Sequence, residues 1–164
     1  PGSVISAIPQ DLKFNDEETT VKIGDNVTIR ECVTINRGTS DRMITKIGNN
    51  CLIMAYCHIA HDCFVGDNCI FSNNTTLAGH VTIGSNVVIA GMVAVHQFAS
   101  VGNHAFVTGG SLVRKDVPPY VKSAREPRTL IRIRELRALL ADSPNGDAMW
   151  RECNGSWQQR RIRL

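Results

Sequence analysis

The segment HIAHDC, residues 58–63, places side chains that transfer protons or bind metals within six positions of one another. Histidine has the side-chain pKa closest to neutral pH, and a carboxylate beside it can fix the tautomer of its ring. Histidine and cysteine are also frequent zinc ligands. The segment is therefore compatible with a general base, with a metal site, or with a purely structural part of a repeating fold. The pattern of the rest of the chain distinguishes these alternatives.

A six-residue period runs through this segment. Counting in sixes from Ile47 to Val113 meets a large apolar residue twelve times in succession. The same phase extends back to Ile23, with one break at Asp41. Neither the 3.6-residue period of a helix nor the alternation of an ordinary strand produces a period of six. The pattern is typical of short strands joined by turns.

The fifth position of each hexad is small or β-branched, and four of the six cysteines occupy it: Cys51, Cys57, Cys63 and Cys69. Both this position and the aliphatic one should face a narrow interior, where free cysteine packs as a compact apolar residue. Glycine and asparagine follow the aliphatic residue, as in Gly48 and Asn50, and suit the positive φ of tight corners. Three hexads make one coil of about 18 residues, and stacked coils give three parallel sheets. The sequence predicts an all-β fold, a parallel β-helix.

An 18-residue coil aligns three histidines on one face. His61, His80 and His96 belong to hexads whose first residues are 18 positions apart, so they lie on successive coils. Each is on the turn side of its hexad, and we expect all three to be accessible. His58 approaches the same column from the preceding corner, whereas His104 belongs to another face and is interpreted as a surface residue.

Two kinds of chemistry fit this column. Three histidines could bind zinc and activate a water molecule, or one could act as a general base while the others bind a substrate. The pair His61-Asp62 favours the base, because Asp62 could hold the imidazole tautomer. Adjacent residues of a strand point in opposite directions, so this contact requires a turn between the two residues.

Composition excludes several other classes of protein. The 164 residues have a net charge of +3 and suit a single globular domain. No apolar run reaches the roughly 18 to 20 residues of a membrane helix, and the N-terminus does not read as a signal peptide, so we expect a cytoplasmic protein. Residues 128–164 hold eight arginines against four acids. The near-neutral part before them argues against a nucleic-acid surface there.

Several motifs together carry a resemblance to a known family: AIPQDLKF, HIAHDCFVG, LAGHVTIG, AVHQF and DVPPYV. Over about residues 1–127 the chain resembles the UDP-N-acetylglucosamine O-acyltransferases that begin lipid A synthesis. These hexapeptide-repeat enzymes move a 3-hydroxyacyl chain from acyl carrier protein to the 3-hydroxyl of the sugar, without a cofactor. The resemblance implies a left-handed parallel β-helix, an exception to the right-handed crossover rule. It also implies a homotrimer with active sites between subunits.

The resemblance assigns roles to individual residues. His61 looks like the general base, Asp62 like the residue that orients it, and Gly79 like a backbone N–H donor to the thioester oxyanion. Gly110 falls where the family measures acyl length, and glycine there looks permissive of a longer chain. The remaining matches contact the sugar nucleotide or the acyl donor, and they are Asp11, Lys13, His58, His80, His96 and Gln97. No metal ligand is implied.

The C-terminal part leaves the family pattern. Pro118-Pro119 cannot continue a ladder and predicts the end of the β-helix. Apolar residues at helical spacing over 130–140 predict a helix beyond it. We therefore divide the chain into a β-helix domain, 1–122, and a divergent helical or disordered tail, 123–164. A start at Pro1 predicts a chain truncated at its N-terminus.

Three other functions remain open. A zinc enzyme like the γ-class carbonic anhydrases would share the β-helix and hold metal with histidines from adjoining subunits. A fragment that keeps only the repeat scaffold would be inactive. The N-acyltransferase that acts later on the same pathway is a closer rival, but it lacks the PQDLK match.

Overall fold

The computed structural model describes residues 1–123 and the strand Leu130–Arg132. All the elements assigned within these ranges are strands. The described residues contain no helix that is long and apolar enough to cross a membrane. The strands, in chain order, are β1 Val4–Ala7, β2 Thr20–Ile23, β3 Thr28–Ile29, β4 Thr34–Asn36, β5 Ile44–Ile47, β6 Leu52–Ile53, β7 His58–Ile59, β8 Phe64–Val65, β9 Ile70–Phe71, β10 Thr76–Leu77, β11 Thr82–Ile83, β12 Val88–Ile89, β13 Ala94–Val95, β14 Ser100–Val101, β15 Phe106–Val107, β16 Leu112–Val113, β17 Val121–Ser123 and β18 Leu130–Arg132.

From β1 to β16 every third strand joins the same sheet, as the period of six predicts, and β17 and β18 extend the third sheet. The first sheet runs β1-β4-β7-β10-β13-β16, the second β14-β11-β8-β5-β2, and the third β18-β17-β15-β12-β9-β6-β3. Pairing is parallel from β1 to β17, and Thr76 of β10 lies between His58 and Ala94, each 18 positions away. The predicted all-β fold is confirmed: the chain forms a left-handed parallel β-helix.

The interior is built from the repeat positions. The aliphatic residue of each hexad from Ile47 to Val113 is at most 4% exposed, and Phe71 is the largest side chain buried in this way. The four interior cysteines are buried and free, as expected. Their thiols donate to the carbonyls of the next coil, at 3.2 Å from Cys51 to Gly66 and 3.1 Å from Cys63 to Ala78. Burial raises the pKa of the Cys63 thiol to about 12, so it stays protonated and keeps this bond.

The corners are left-handed at the third residue after each aliphatic position. This residue has a positive φ in each hexad from Asn50 to Gly110, whichever side chain it carries. The prediction that glycine supplies this φ is wrong for Gly48 and its equivalents, which have ordinary φ values. Gly48 is needed for space, because an added Cβ would lie 2.7 Å from the carbonyl carbon of Gly66 on the next coil.

Two loops leave the β-helix without changing its phase. Thr34 pairs with His58 at an offset of 24 instead of 18, because residues 37–43 are extruded between β4 and β5. Val4 pairs with Thr34 at an offset of 30, because residues 8–19 are extruded between β1 and β2. The Arg37 guanidinium lies 5.2 Å from the Phe14 ring and joins the two loops. The break at Asp41 is therefore an insertion.

The β-helix continues past the two prolines. Val117 bridges to Val101, and β17 pairs with β15 in parallel, so the prediction that Pro118-Pro119 ends the structure is wrong. The prolines occupy a corner, where no ladder donor is required. The segment 130–140 was predicted as a helix, but its first three residues form β18, antiparallel to β17 at the sheet edge. The rest of that segment and of the predicted tail lies outside the described residues.

Candidate active site

His61 and Asp62 form a buried acid–base pair at one corner of the β-helix. Asp62 takes the left-handed corner conformation, with φ 59°, and this turn brings its carboxylate back to the neighbouring ring. Nδ1 of His61 lies 2.9 Å from Oδ2 of Asp62. The turn that the sequence required between these residues is present.

Residues 37–43, the short loop, hold the Asp62 carboxylate. The Thr39 N–H lies 3.0 Å from Oδ1, and the Thr39 hydroxyl donates to Oδ2 at 2.5 Å. Arg42 donates to the Asp62 carbonyl at 2.8 Å. Asp62 is fully buried, and burial alone would raise its pKa, but the hydrogen bonds from Thr39 and His61 outweigh it and lower the pKa below the usual value. Asp62 is therefore an ionised acceptor for an N–H on Nδ1 of His61.

His80 lies on the next coil and completes a compact cluster. Its ring meets the His61 ring edge to face with centroids 5.0 Å apart, and its Nε2 is 3.8 Å from Oδ2 of Asp62. Its Nδ1 lies 3.1 Å from Oδ2 of Asp41 in the short loop, outside hydrogen-bond geometry. One donor atom from each of His61, Asp62 and His80 lies within 4.8 Å of the others, so these three residues could hold a metal ion.

The expectation that all three column histidines are accessible is wrong for two of them. His61 is 6% exposed and His80 is 7% exposed. The short loop contacts the corner that carries His61, and the Phe98 ring stacks on His80 with centroids 4.6 Å apart. His96 is exposed, as expected, and its Nδ1 faces the Gln97 carbonyl at 3.1 Å.

Gly79 provides the space that the His61 ring occupies. A Cβ added to Gly79 would lie 2.6 Å from both Cε1 and Nε2 of His61. Gly79 is the second residue after the aliphatic position of its hexad. At three corners of the second sheet, the backbone N–H of the residue in this position donates to a side chain of the next coil. The donor and acceptor pairs are Asn49 to Asp67, Asp67 to Ser85 and Ser85 to Asn103. No such acceptor among the described residues receives the N–H of Gly79. This donor remains available beside the imidazole.

His58 lies beside the cluster on the outer face of β7. Its Nδ1 is 2.7 Å from the Thr34 hydroxyl one coil below. Burial, followed by the charge of His61, lowers the pKa of His58 below the usual value, which favours the neutral ring near pH 7. Its other nitrogen is therefore left for a ligand.

A cleft of about 260 Å³ opens beside His80. Its walls come from four segments of the chain, and the lining includes Asp11, Lys13, Thr39, Asp41, His80 and Phe98. The Asp11 carboxylate accepts the Lys13 N–H at 2.9 Å, which shapes the tip of the long loop, residues 8–19. The structure thus brings this loop to the cluster that contains His61.

Gly110 and His104 are on other corners. Gly110 has a φ of +68° and no heavy atom within 4 Å of a Cβ built on it, so the space beside it is open. It shares its corner column with Met92, which is 73% exposed. His104 is exposed and stacks on Tyr120 at 4.7 Å.

Three residues of the site were missed from the sequence. Thr39 and Asp41 belong to the short loop, and their signal was the break in the six-residue period. Phe98 follows His80 by 18 residues, so the repeat that aligned the histidines also placed this ring above them. An aromatic residue at a corner position, three residues after Val95 of its hexad, was a further signal.

Comparisons with known proteins show which family this fold and sequence resemble. Residues 44–79 match the family model of the bacterial transferase hexapeptide (six repeats). A protein of Gloeothece citriformis named as an acyl-(acyl-carrier-protein)–UDP-N-acetylglucosamine O-acyltransferase is 45% identical, over 77% of this chain and 46% of its own length. A Xylella fastidiosa protein of the same name is 54% identical, over 72% of this chain and 45% of its own length.

Solved structures give the same result. The UDP-N-acetylglucosamine O-acyltransferase of Moraxella catarrhalis is 40% identical with a TM-score of 0.83, covering 99% of this chain and 63% of that one. The corresponding enzyme of Bacteroides fragilis is 49% identical with a TM-score of 0.80, covering 85% of this chain and 55% of that one. The chain spans about half the length of the curated relatives that it matches. Over that shared length, this chain is a hexapeptide-repeat homologue of the UDP-N-acetylglucosamine O-acyltransferases.

Proposed function

We propose that the chain transfers a 3-hydroxyacyl group from acyl carrier protein to the 3-hydroxyl of UDP-N-acetylglucosamine, the first step of lipid A biosynthesis. The observation that carries this proposal is the buried pair of His61 and Asp62 beside the open N–H of Gly79. A base, its orienting carboxylate and an oxyanion donor are the groups that acyl transfer requires. The names of the relatives supply the substrate class.

The chemical step assigns one task to each of these residues. With Nδ1–H donated to Asp62, Nε2 of His61 has its lone pair available and accepts the proton of the sugar hydroxyl. The hydroxyl oxygen then attacks the thioester carbon, and the negative charge that forms on the carbonyl oxygen is stabilised by the N–H of Gly79. When the intermediate collapses, the C–S bond breaks and His61 returns its proton to the departing thiolate. The ester and the free thiol are the products.

The other positions bind the two substrates. Asp11 and Lys13 reach the sugar nucleotide from the long loop, where Lys13 offers a positive charge to the diphosphate. The side chains that complete this binding surface are His58, His80, His96 and Gln97. Gly110 permits a longer acyl chain, because nothing occupies the space beside it. The active assembly is a homotrimer, as the resemblance implies.

An acyl-transfer assay with 3-hydroxyacyl carrier proteins of several chain lengths and UDP-N-acetylglucosamine tests the proposal. His61→Ala should lower kcat by about 10²- to 10⁴-fold, the usual contribution of a general base, while circular dichroism stays unchanged. His104→Gln, outside the cluster, should keep full activity. Full activity in His61→Ala contradicts the assignment of the base. Acyl transfer to the 3-O-acylated amine instead of to UDP-N-acetylglucosamine would identify the later N-acyltransferase. Carbon dioxide hydration with one zinc ion per chain would identify a carbonic anhydrase.

A further inference from the structure

We propose that His61, Asp62 and His80 form a binding site for a divalent transition-metal ion, with zinc as the best match, and that an ion bound there switches off His61 as a base. Binding is a property of the three side chains alone. The inhibition rests on the proposed function, so the two consequences can be tested separately.

The two donor pairs that include Asp62 have spacings near those that a tetrahedral ion needs. Two ligand atoms at about 2.0 to 2.1 Å from a tetrahedral zinc lie roughly 3.4 Å from each other. Oδ2 of Asp62 is 2.9 Å from Nδ1 of His61 and 3.8 Å from Nε2 of His80, which brackets that value. All three donor atoms lie within 4.8 Å of one another, so an ion would replace the proton between His61 and Asp62 and draw the His80 ring inward.

The surroundings place acceptor and donor groups beside the candidate ligands. Nδ1 of His80 lies 3.1 Å from Oδ2 of Asp41 without hydrogen-bond geometry, and Nε2 is the ring nitrogen that lies 3.8 Å from Asp62. A small rotation of the exposed Asp41 side chain would complete the carboxylate–histidine–metal arrangement of many metal sites. The Asp62 carboxylate is fixed by the N–H and hydroxyl of Thr39, which supply hydrogen bonds to a ligating oxygen.

Charge and softness select the kind of ion. The carboxylates of Asp41 and Asp62 together offset two positive charges, whereas Arg42 at the Asp62 carbonyl and Lys13 in the cleft oppose them. Two imidazoles with one carboxylate favour zinc, cobalt or nickel over magnesium and calcium, which prefer oxygen ligands. His61, Asp62 and His80 are all buried, so solvent competes weakly for the ion.

An ion on Nδ1 of His61 has a direct chemical consequence. A neutral imidazole holds one proton, and with Nδ1 bound to metal that proton resides on Nε2. Nε2 then has no lone pair to accept the proton of a sugar hydroxyl. Occupancy and base catalysis are therefore mutually exclusive.

Isothermal titration of the metal-free chain with ZnCl₂ at pH 7.5 tests the site. We expect one ion per chain for the unaltered protein and for His104→Gln, which removes an exposed imidazole elsewhere. His80→Gln removes a ligand and should abolish saturable binding. Asp41→Asn, at an exposed outer carboxylate, should keep the fold and weaken zinc affinity by about 10- to 100-fold. Titration with CoCl₂ should give the visible absorption of a four-coordinate ion, and MgCl₂ should give no heat.

The outcomes separate the site from the activity. Equal zinc affinity in the unaltered chain, His80→Gln and Asp41→Asn overturns the site, as does the absence of saturable binding. In the acyl-transfer assay, zinc should lower kcat with the same midpoint as the calorimetric Kd, and activity unaffected by saturating zinc overturns the inhibition. If the metal-free chain shows no acyl transfer, the proposed function fails, while calorimetry still decides whether the site exists.

Discussion

A methyl group on Gly79 would collide with the ring of the proposed base, because the added Cβ would lie 2.6 Å from two atoms of His61. Gly79→Ala should therefore push the imidazole away from Asp62 and from the substrate. Displacing a reacting group by about 1 Å can cost roughly 10²-fold in rate, so we expect kcat/KM to fall by about that factor. Steady-state acyl transfer measures it.

The repeat provides a matched control for this change. Gly91 has the same place in its hexad at another corner, and a Cβ there would meet only the Asn73 carbonyl oxygen, at 3.3 Å. Gly91→Ala should leave kcat/KM within about twofold of the unaltered chain. Equal losses in both variants would mean that alanine disturbs the corner itself, and the steric account of Gly79 would be wrong.

Thr39 stabilises the ionised form of Asp62. Thr39→Val keeps the shape but removes the hydroxyl that donates to Oδ2. Hydrogen bonds to charged groups contribute about 1.5 to 3 kcal/mol, so the free energy of unfolding at pH 7 should fall by that amount. Urea unfolding measures it. Thr39→Ser keeps the donor and should remain close to the unaltered chain.

The same comparison has a defined pH dependence. The pKa of Asp62 is lowered in the folded protein, so its stabilisation is fully present above the unfolded value of about 3.9 and is lost as pH falls through the folded value. The difference in the free energy of unfolding between the unaltered chain and Thr39→Val should therefore have its full value at pH 7 and become smaller below pH 4. A gap that stays constant down to pH 3 would show that the hydroxyl does not act through the carboxylate.

At the scale of the strand, β9 separates interior from exterior in two residues. Phe71 is 1% exposed in the core, and Ile70 beside it is 37% exposed on the outer face. Phe71→Ala should lower the free energy of unfolding by about 3 to 5 kcal/mol, because the narrow interior cannot collapse around the cavity. Ile70→Ala, on the same strand, should lower the free energy of unfolding by well under half of that amount. Urea unfolding measures both changes. Similar losses would contradict the inside–outside assignment.

Strand and corner positions were readable from the sequence to different degrees. The period of six predicted the sheets, the inward face and the packing role of Cys63, because each depends on the hexad alone. The role of Gly48 was misread, because space at a corner is set by Gly66 on the next coil and not by local φ. The burial of His61 and His80 was also misread, since the covering atoms come from a loop and from Phe98.

At the scale of the whole chain, the described coils form a stack of three sheets, and the proposed active form joins three such stacks. Sedimentation should therefore report a particle of about three times the 18.0 kDa chain mass. A folded monomer that retains full acyl-transfer activity would show that one subunit suffices.

The two loops show how the ladder accepts new chain. The pairing offsets of 24 and 30 exceed the coil of 18 by one hexad and by two, so the aliphatic side chains after each loop still point inward. Both loops leave the coil after one strand and rejoin it before the next, so the ladder on either side of each loop is kept. The β-helix therefore accepts insertions between its strands, and a new specificity loop can be gained or lost in evolution while every coil beyond it keeps its register.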